Sequence, residues 1–126
     1  MARSSKYVVG VVDDDLRVLE SMASLLEAAG YTTRLFISAA ALLENDGLSQ
    51  IDCLISDIGM PDMDGFALQR LTMAARPELP VIWITGRNGP TKRRLAGRKH
   101  AGVKVFLKPF DALELIDAVA AALRGQ

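Results

Sequence analysis

Short β-branched apolar runs alternate along this chain with segments of helical periodicity, and that alternation restricts the fold more than any other feature. The first run, Tyr7 to Val12, stops at three aspartates. Leu16, Leu19, Met22, Ala23 and Leu26 then recur at helical spacing, and Gly30 is placed to close the helix. Thr32 to Ile37 reads as a second strand, followed by a helix from a Ser38 cap through Glu44, with Gly47 beyond it. Ile51 to Ser56 is a third strand, apolar enough to be covered on both faces, and it stops at Asp57. After the turn Met60-Pro-Asp-Met-Asp-Gly65, a third helix is anchored by Phe66, Leu68 and Leu71. Val81 to Ile84 and Val103 to Leu107 complete five strands, ending at Thr85 and at Lys108-Pro109. Residues 86–102 between them hold four of the ten glycines and Pro90, so the fourth helix is weakly specified. The last helix is capped by Asp111 and shows Leu113, Ile116, Ala120 and Leu123 on one face.

Strands alternating with helices require crossover connections, and right-handed crossovers lead to a parallel sheet with helices on both faces. The expectation is a doubly wound α/β three-layer sandwich, flavodoxin-like, with five helices around a five-stranded sheet. A chain of 126 residues, 50% hydrophobic and 24% charged, has the length and balance of one globular domain spanning residues 1–126. No apolar run reaches the ~18 residues of a membrane span, and Met1 to Lys6 lacks the apolar stretch of a secretory signal. A cytoplasmic location without membrane association is expected. The single cysteine, Cys53, excludes a disulfide framework. The formal charge is zero, yet twelve of the fifteen acids lie in residues 1–78 and no acid occurs between Glu78 and Asp111, where eight of the fifteen basic residues fall. That basic stretch lacks base-reading or stacking motifs, so direct nucleic-acid binding is not expected.

In doubly wound sheets ligands sit beyond the carboxyl ends of the strands. Here those ends carry Asp13 and Asp14, Asp57, Thr85 and Lys108: three carboxylates, a hydroxyl and an ammonium on one edge. Each has a plainer reading in isolation. Asp13 and Asp14 could open a helix, Thr85 is a good strand former, and Lys108 could be a surface lysine. The set together is harder to explain structurally, because clustered carboxylates repel unless a cation joins them. Carboxylate and water oxygens suit Mg²⁺. With that ion and an ammonium alongside, one of the carboxylates could act as a nucleophile toward phosphorus, forming an acyl phosphate. Asp15 reads as a helix cap, and Trp83, Met22 and Cys53 as core.

Four segments, Val11-Val-Asp-Asp-Asp15, Asp57-Ile-Gly-Met-Pro-Asp-Met-Asp-Gly65, Ile84-Thr85-Gly86 and Lys108-Pro109-Phe110, resemble the receiver domain of two-component response regulators, the CheY-like fold. The resemblance covers essentially the whole chain and implies the strand order 2-1-3-4-5. It implies that Asp57 accepts a phosphoryl group from a phosphohistidine on a sensor histidine kinase. It further implies that Asp13, Asp14, Asp57 and the Gly59 carbonyl hold Mg²⁺, and that Thr85 and Lys108 meet the phosphoryl group. The face around residues 86–108 would carry the switch to an output domain or partner. Ile84-Thr-Gly86 and Phe36-Ile-Ser-Ala39 lean toward regulators with a C-terminal DNA-binding output domain, which is absent from this chain. A phosphorylation-dependent homodimer is a further implication. The chain departs from the family in having Val105, with Phe106 next to it, where an aromatic switch residue usually stands three positions before the lysine. An alternative is a small phosphatase of the haloacid dehalogenase type, with Asp13 as nucleophile and Asp15 as acid in an Asp-x-Asp motif. That reading needs an acidic pair at the end of a further strand after Lys108, where only one helix follows, and it leaves Asp57 idle.

Overall fold

The computed structural model of the protein describes residues 7–57, 65–85, 104–107 and 111–124. Five strands, β1 (Val8–Val12), β2 (Thr32–Phe36), β3 (Cys53–Asp57), β4 (Val81–Thr85) and β5 (Lys104–Leu107), form one parallel sheet in the order β2-β1-β3-β4-β5. The helices are α1 (Leu16–Ala28), α2 (Ala39–Leu43), continued by a 3-10 segment (Glu44–Gln50), α3 (Gly65–Ala75) and α4 (Ala112–Arg124). The expected doubly wound α/β sandwich is present. The helix expected within 86–102 falls outside the described residues.

Strand register follows from a sheet whose two faces are both buried, because a slip of one residue would exchange every side chain between them. Val9 opposes Cys53, Val11 opposes Ile55, and Ile55 opposes Ile82. These residues form one core with Leu19, Met22 and Leu26 of α1 and Leu115, Val119 and Leu123 of α4. On the other face Val12, Phe36, Leu54 and Trp83 pack with Leu42 of α2, Leu48 of the 3-10 segment and Leu68 of α3. The period-2 and period-3.6 patterns account for these core residues, but Leu16, Leu71 and Leu113, which belong to the same helical patterns, are exposed. Gly10 serves the second core: a Cβ there would lie 3.0 Å from two carbons of the Ile51 side chain.

The helix ends bear out the expected caps. Asp15 accepts from Arg17 N at 2.9 Å, Ser38 from Ala41 N at 3.0 Å, and Asp111 from Leu113 N and Glu114 N at 2.8 and 3.1 Å. Gly30 has φ 100°, the left-handed conformation that a glycine adopts after a helix. Several boundaries shift from the sequence reading, and two of the shifts have a visible cause. The second helix ends at Leu43 and tightens into the 3-10 segment, within which Asp46 adopts φ 62° and Gly47 lies so close to Leu42 that a Cβ would strike its carbonyl oxygen. The third strand begins at Cys53 rather than Ile51, because Ile51 and Asp52 serve as its anchor. Asp52 N donates to Val8 O at 2.7 Å, and the Asp52 carboxylate accepts from Val8 N at 2.8 Å. Arg76, just past α3, secures the same corner: its Nη1 donates to the carbonyls of Leu48 (2.6 Å) and Ile51 (2.7 Å).

Candidate functional site

A parallel sheet puts the carboxyl ends of all its strands on one edge, so the residues that end β1, β3, β4 and β5 become neighbours regardless of their separation in sequence. Val12 opposes Ser56, which places Asp13 beside Asp57 one step farther along. Ile84 opposes Asp57 and Leu107 opposes Thr85, so the same edge continues to the end of β5.

Asp13, Asp14 and Asp57 each offer a carboxylate oxygen within 4.8 Å of the others. Their environments differ. Asp13 is buried, Asp57 half-buried and Asp14 exposed. Asp13 is fixed at both ends: its N–H donates to Phe36 O at 3.1 Å, tying the turn to β2, and its Oδ1 accepts from Asp15 N at 2.9 Å. The turn after β1 therefore aims one carboxylate into the sheet edge and leaves the next facing water. Asp15 stays apart from the trio. It caps α1, and its Oδ1 lies 3.8 Å from Arg17 Nε.

Two unit charges at this spacing repel by roughly 3–4 kcal/mol at an effective dielectric near 20, less where one faces solvent. Three carboxylates held together by the backbone are therefore costly alone and well suited to a hard divalent cation, which takes oxygen donors and keeps several waters. The all-oxygen donor set, one member buried and one open to water, fits such an ion with room for a further oxygen ligand.

Of the residues expected from sequence, Asp13, Asp14 and Asp57 are brought together, and Thr85 closes β4 on the same edge. Gly59 and Lys108 lie outside the described residues, as does the segment 86–103; Lys108 directly follows Leu107, the last residue of β5. Phe106 opposes Ile84, is half-buried, and packs on the α1 and α4 side of the sheet, while Val105 opposes Trp83. Two residues with structural weight escaped the sequence reading: Arg76, whose role depends on carbonyls 25 and 28 positions away, and Ser56, buried beside Asp57.

The sequence matches the response regulator receiver domain family over residues 9–120. The chain belongs to that family. Among curated relatives of this receiver domain, the response regulator protein TodT of Pseudomonas putida is 36% identical over 117 residues, covering 93% of this chain and 51% of that protein. The transcriptional regulatory protein FixJ of Bradyrhizobium diazoefficiens is 32% identical over 122 residues, covering 96% of this chain and 58% of that protein. The receiver domain thus spans about half the length of the relatives it matches. Among solved structures, the receiver domain of NtrX from Brucella abortus superposes with a TM-score of 0.82 at 29% identity, covering 94% of this chain and 99% of that one. A receiver domain protein from Clostridium thermocellum gives 0.80 at 27% identity, covering 94% of each chain. The CheY-like fold and the place in two-component signalling follow from family membership, and the haloacid dehalogenase alternative finds no support among these relatives. No helix of the described residues is long and apolar enough to cross a membrane.

Proposed function

We propose that this receiver domain is a phosphoacceptor whose Asp57 takes a phosphoryl group from the phosphohistidine of a sensor histidine kinase. The observation that carries the reading is the gathering of Asp57 with Asp13 and Asp14 at the carboxyl edge of the sheet. Asp57 supplies the nucleophilic oxygen. The O–P bond forms as the P–N bond to the donor imidazole breaks, and the ring leaves neutral when its other nitrogen carries a proton. Asp13, Asp14, Asp57 and the Gly59 carbonyl would hold Mg²⁺, which would supply positive charge to the phosphoryl oxygens. Lys108 pairs with the same oxygens and the Thr85 hydroxyl donates to them, which moves the end of β4 and carries the signal to the face of residues 86–108. Water attack on phosphorus returns the Asp57 carboxylate and inorganic phosphate.

The relatives TodT and FixJ are described as a response regulator and a transcriptional regulator, and the match to this chain covers 51% and 58% of their lengths. That supports a DNA-binding output domain as the receiver's target in a longer protein, and phosphorylation-dependent pairing of two receivers as a means of control. A cytoplasmic location follows from a kinase partner of this type.

The test uses acetyl phosphate with Mg²⁺, followed by mass-spectrometric mapping of the adduct. A hydroxylamine-labile adduct on Asp57, absent in Asp57→Asn and absent without divalent cation, is the expected result. An adduct on Asp13 that turns over rapidly would overturn it in favour of a phosphatase.

A further inference from the structure

Trp83 is the only tryptophan of the chain and sits in β4 two positions before Thr85. Its side chain is fully buried, and its Nε1 finds no hydrogen-bond acceptor among the described residues. Buried donors are nearly always bonded, because an N–H taken out of water without a new partner loses hydration and gains nothing in return. A core position needing only aromatic volume would be served by phenylalanine. The indole N–H therefore calls for an explanation that packing does not give.

The sheet register offers one. Trp83 opposes Ser56 on β3, and cross-strand partners in a parallel sheet project from the same face about one strand spacing apart, ~4.8 Å. Ser56 is itself fully buried, a polar residue on the face otherwise filled by Val12, Leu54 and Leu68. Its hydroxyl donates to the carbonyl oxygen of Asp57 at 3.2 Å, which commits its one proton and leaves its oxygen lone pairs as acceptors. A buried acceptor and a buried donor without a partner thus face the same core on adjacent strands, and the acceptor belongs to the residue preceding the phosphoacceptor.

We propose that Trp83 is a positioning residue for the switch: in the phosphorylated state its indole N–H donates to Ser56 Oγ. The inference rests on Asp57 being the phosphoacceptor. A phosphoryl group there adds about −1.5 to −2 charge one residue from Ser56. The field of that charge polarises the Ser56 hydroxyl, and hydrogen bonds in series strengthen one another in a low-dielectric interior. The resulting series runs from the Trp83 N–H to Ser56 Oγ to the Asp57 carbonyl. It fixes β4 against β3 just before Thr85, in a chain where Val105 stands at the family's aromatic switch position. Asp57 and the end of β4 are then coupled through the interior of the sheet as well as across its edge.

A single tryptophan gives a single indole ¹H–¹⁵N resonance, so the proposal can be read directly. The uniformly ¹⁵N-labelled chain is recorded before and after saturation with Mg²⁺ and beryllofluoride, with acetyl phosphate labelling of Asp57 followed by mass spectrometry in parallel. The expected result is a downfield shift of the indole proton and slower exchange with water, lost in Ser56→Ala and restored in Ser56→Thr, which keeps the hydroxyl. Trp83→Phe is expected to fold and to be labelled on Asp57, but to show a smaller beryllofluoride-dependent rise in melting temperature than the unmodified chain. If Asp57 is labelled while the indole resonance stays in place, or moves equally in Ser56→Ala, the positioning role is overturned and the phosphoacceptor reading stands. Absence of any Asp57 adduct would overturn both.

Discussion

Cys53, in the middle of β3, is packed among Val9, Ile55 and Leu115, and burial pushes its thiol up to about 12, with the nearby Asp52 charge adding to the effect against an opposing hydrogen bond from the Leu54 backbone. The folded state then keeps the thiol protonated where the unfolded chain has released the proton. Stability from this group is fully present below pH about 9 and is lost as pH rises from about 9 toward about 12. Denaturant titrations across that range should show a falling midpoint, with a flatter slope in Cys53→Ala. A thiol reagent at neutral pH should react only with the unfolded chain. Arg76 makes a second prediction at this scale. Its Nη1 satisfies two carbonyls, and removing it leaves both Leu48 O and Ile51 O without that donor. Arg76→Ala should cost about 1–3 kcal/mol by urea denaturation, and Lys should recover only part, because an ammonium cannot reproduce the planar fork.

Among the elements, α1 depends most visibly on its first residue. Asp15 accepts from Arg17 N, and the Asp15 N–H in turn bonds Asp13 Oδ1, so helix cap and acidic cluster share one turn. Asp15→Ala should destabilise the fold by about 1 kcal/mol, and Asp15→Asn by much less, measured by thermal or urea unfolding. Such features were legible in the sequence because they are local. A cap needs one side chain and the N–H two or three positions on, and the strands needed only alternation and β-branching. The end of α2 was not legible. It is set by Gly47 approaching the Leu42 carbonyl and by Arg76 reaching from α3 to the carbonyls of Leu48 and Ile51, neither of which a linear pattern expresses. The start of β3 was obscured for a similar reason, since Asp52 pairs with Val8 across 44 positions.

On the scale of the whole molecule, the sheet turns four separate stretches of chain into one edge, and this is why the acidic trio could be anticipated from strand ends alone. The Ser56 and Trp83 pair could not, because it depends on which residues oppose each other across β3 and β4. The assembled trio predicts opposite signs for one substitution. Without divalent cation, Asp14→Asn should raise the melting temperature by relieving repulsion. With Mg²⁺ the unmodified chain should gain more, since a ligand at a hundred times its dissociation constant stabilises by about 2.7 kcal/mol, while the variant loses part of that gain. The same edge also starts two helices. Leu16 in the first turn of α1 and Leu113 in the first turn of α4 are 62% and 75% exposed, and both helices cover one face of the sheet. Under the phosphoacceptor reading proposed above, two exposed leucines at helix starts on this edge suit the docking of a phosphohistidine donor. Replacing both with glutamate should leave labelling by acetyl phosphate unchanged, because that donor needs no docking surface. Transfer from a phosphorylated histidine kinase should slow by about tenfold or more, the equivalent of ~1.4 kcal/mol of lost docking energy. Equal slowing with both donors would place the defect in the acidic cluster itself and remove the leucines from any role in recognition.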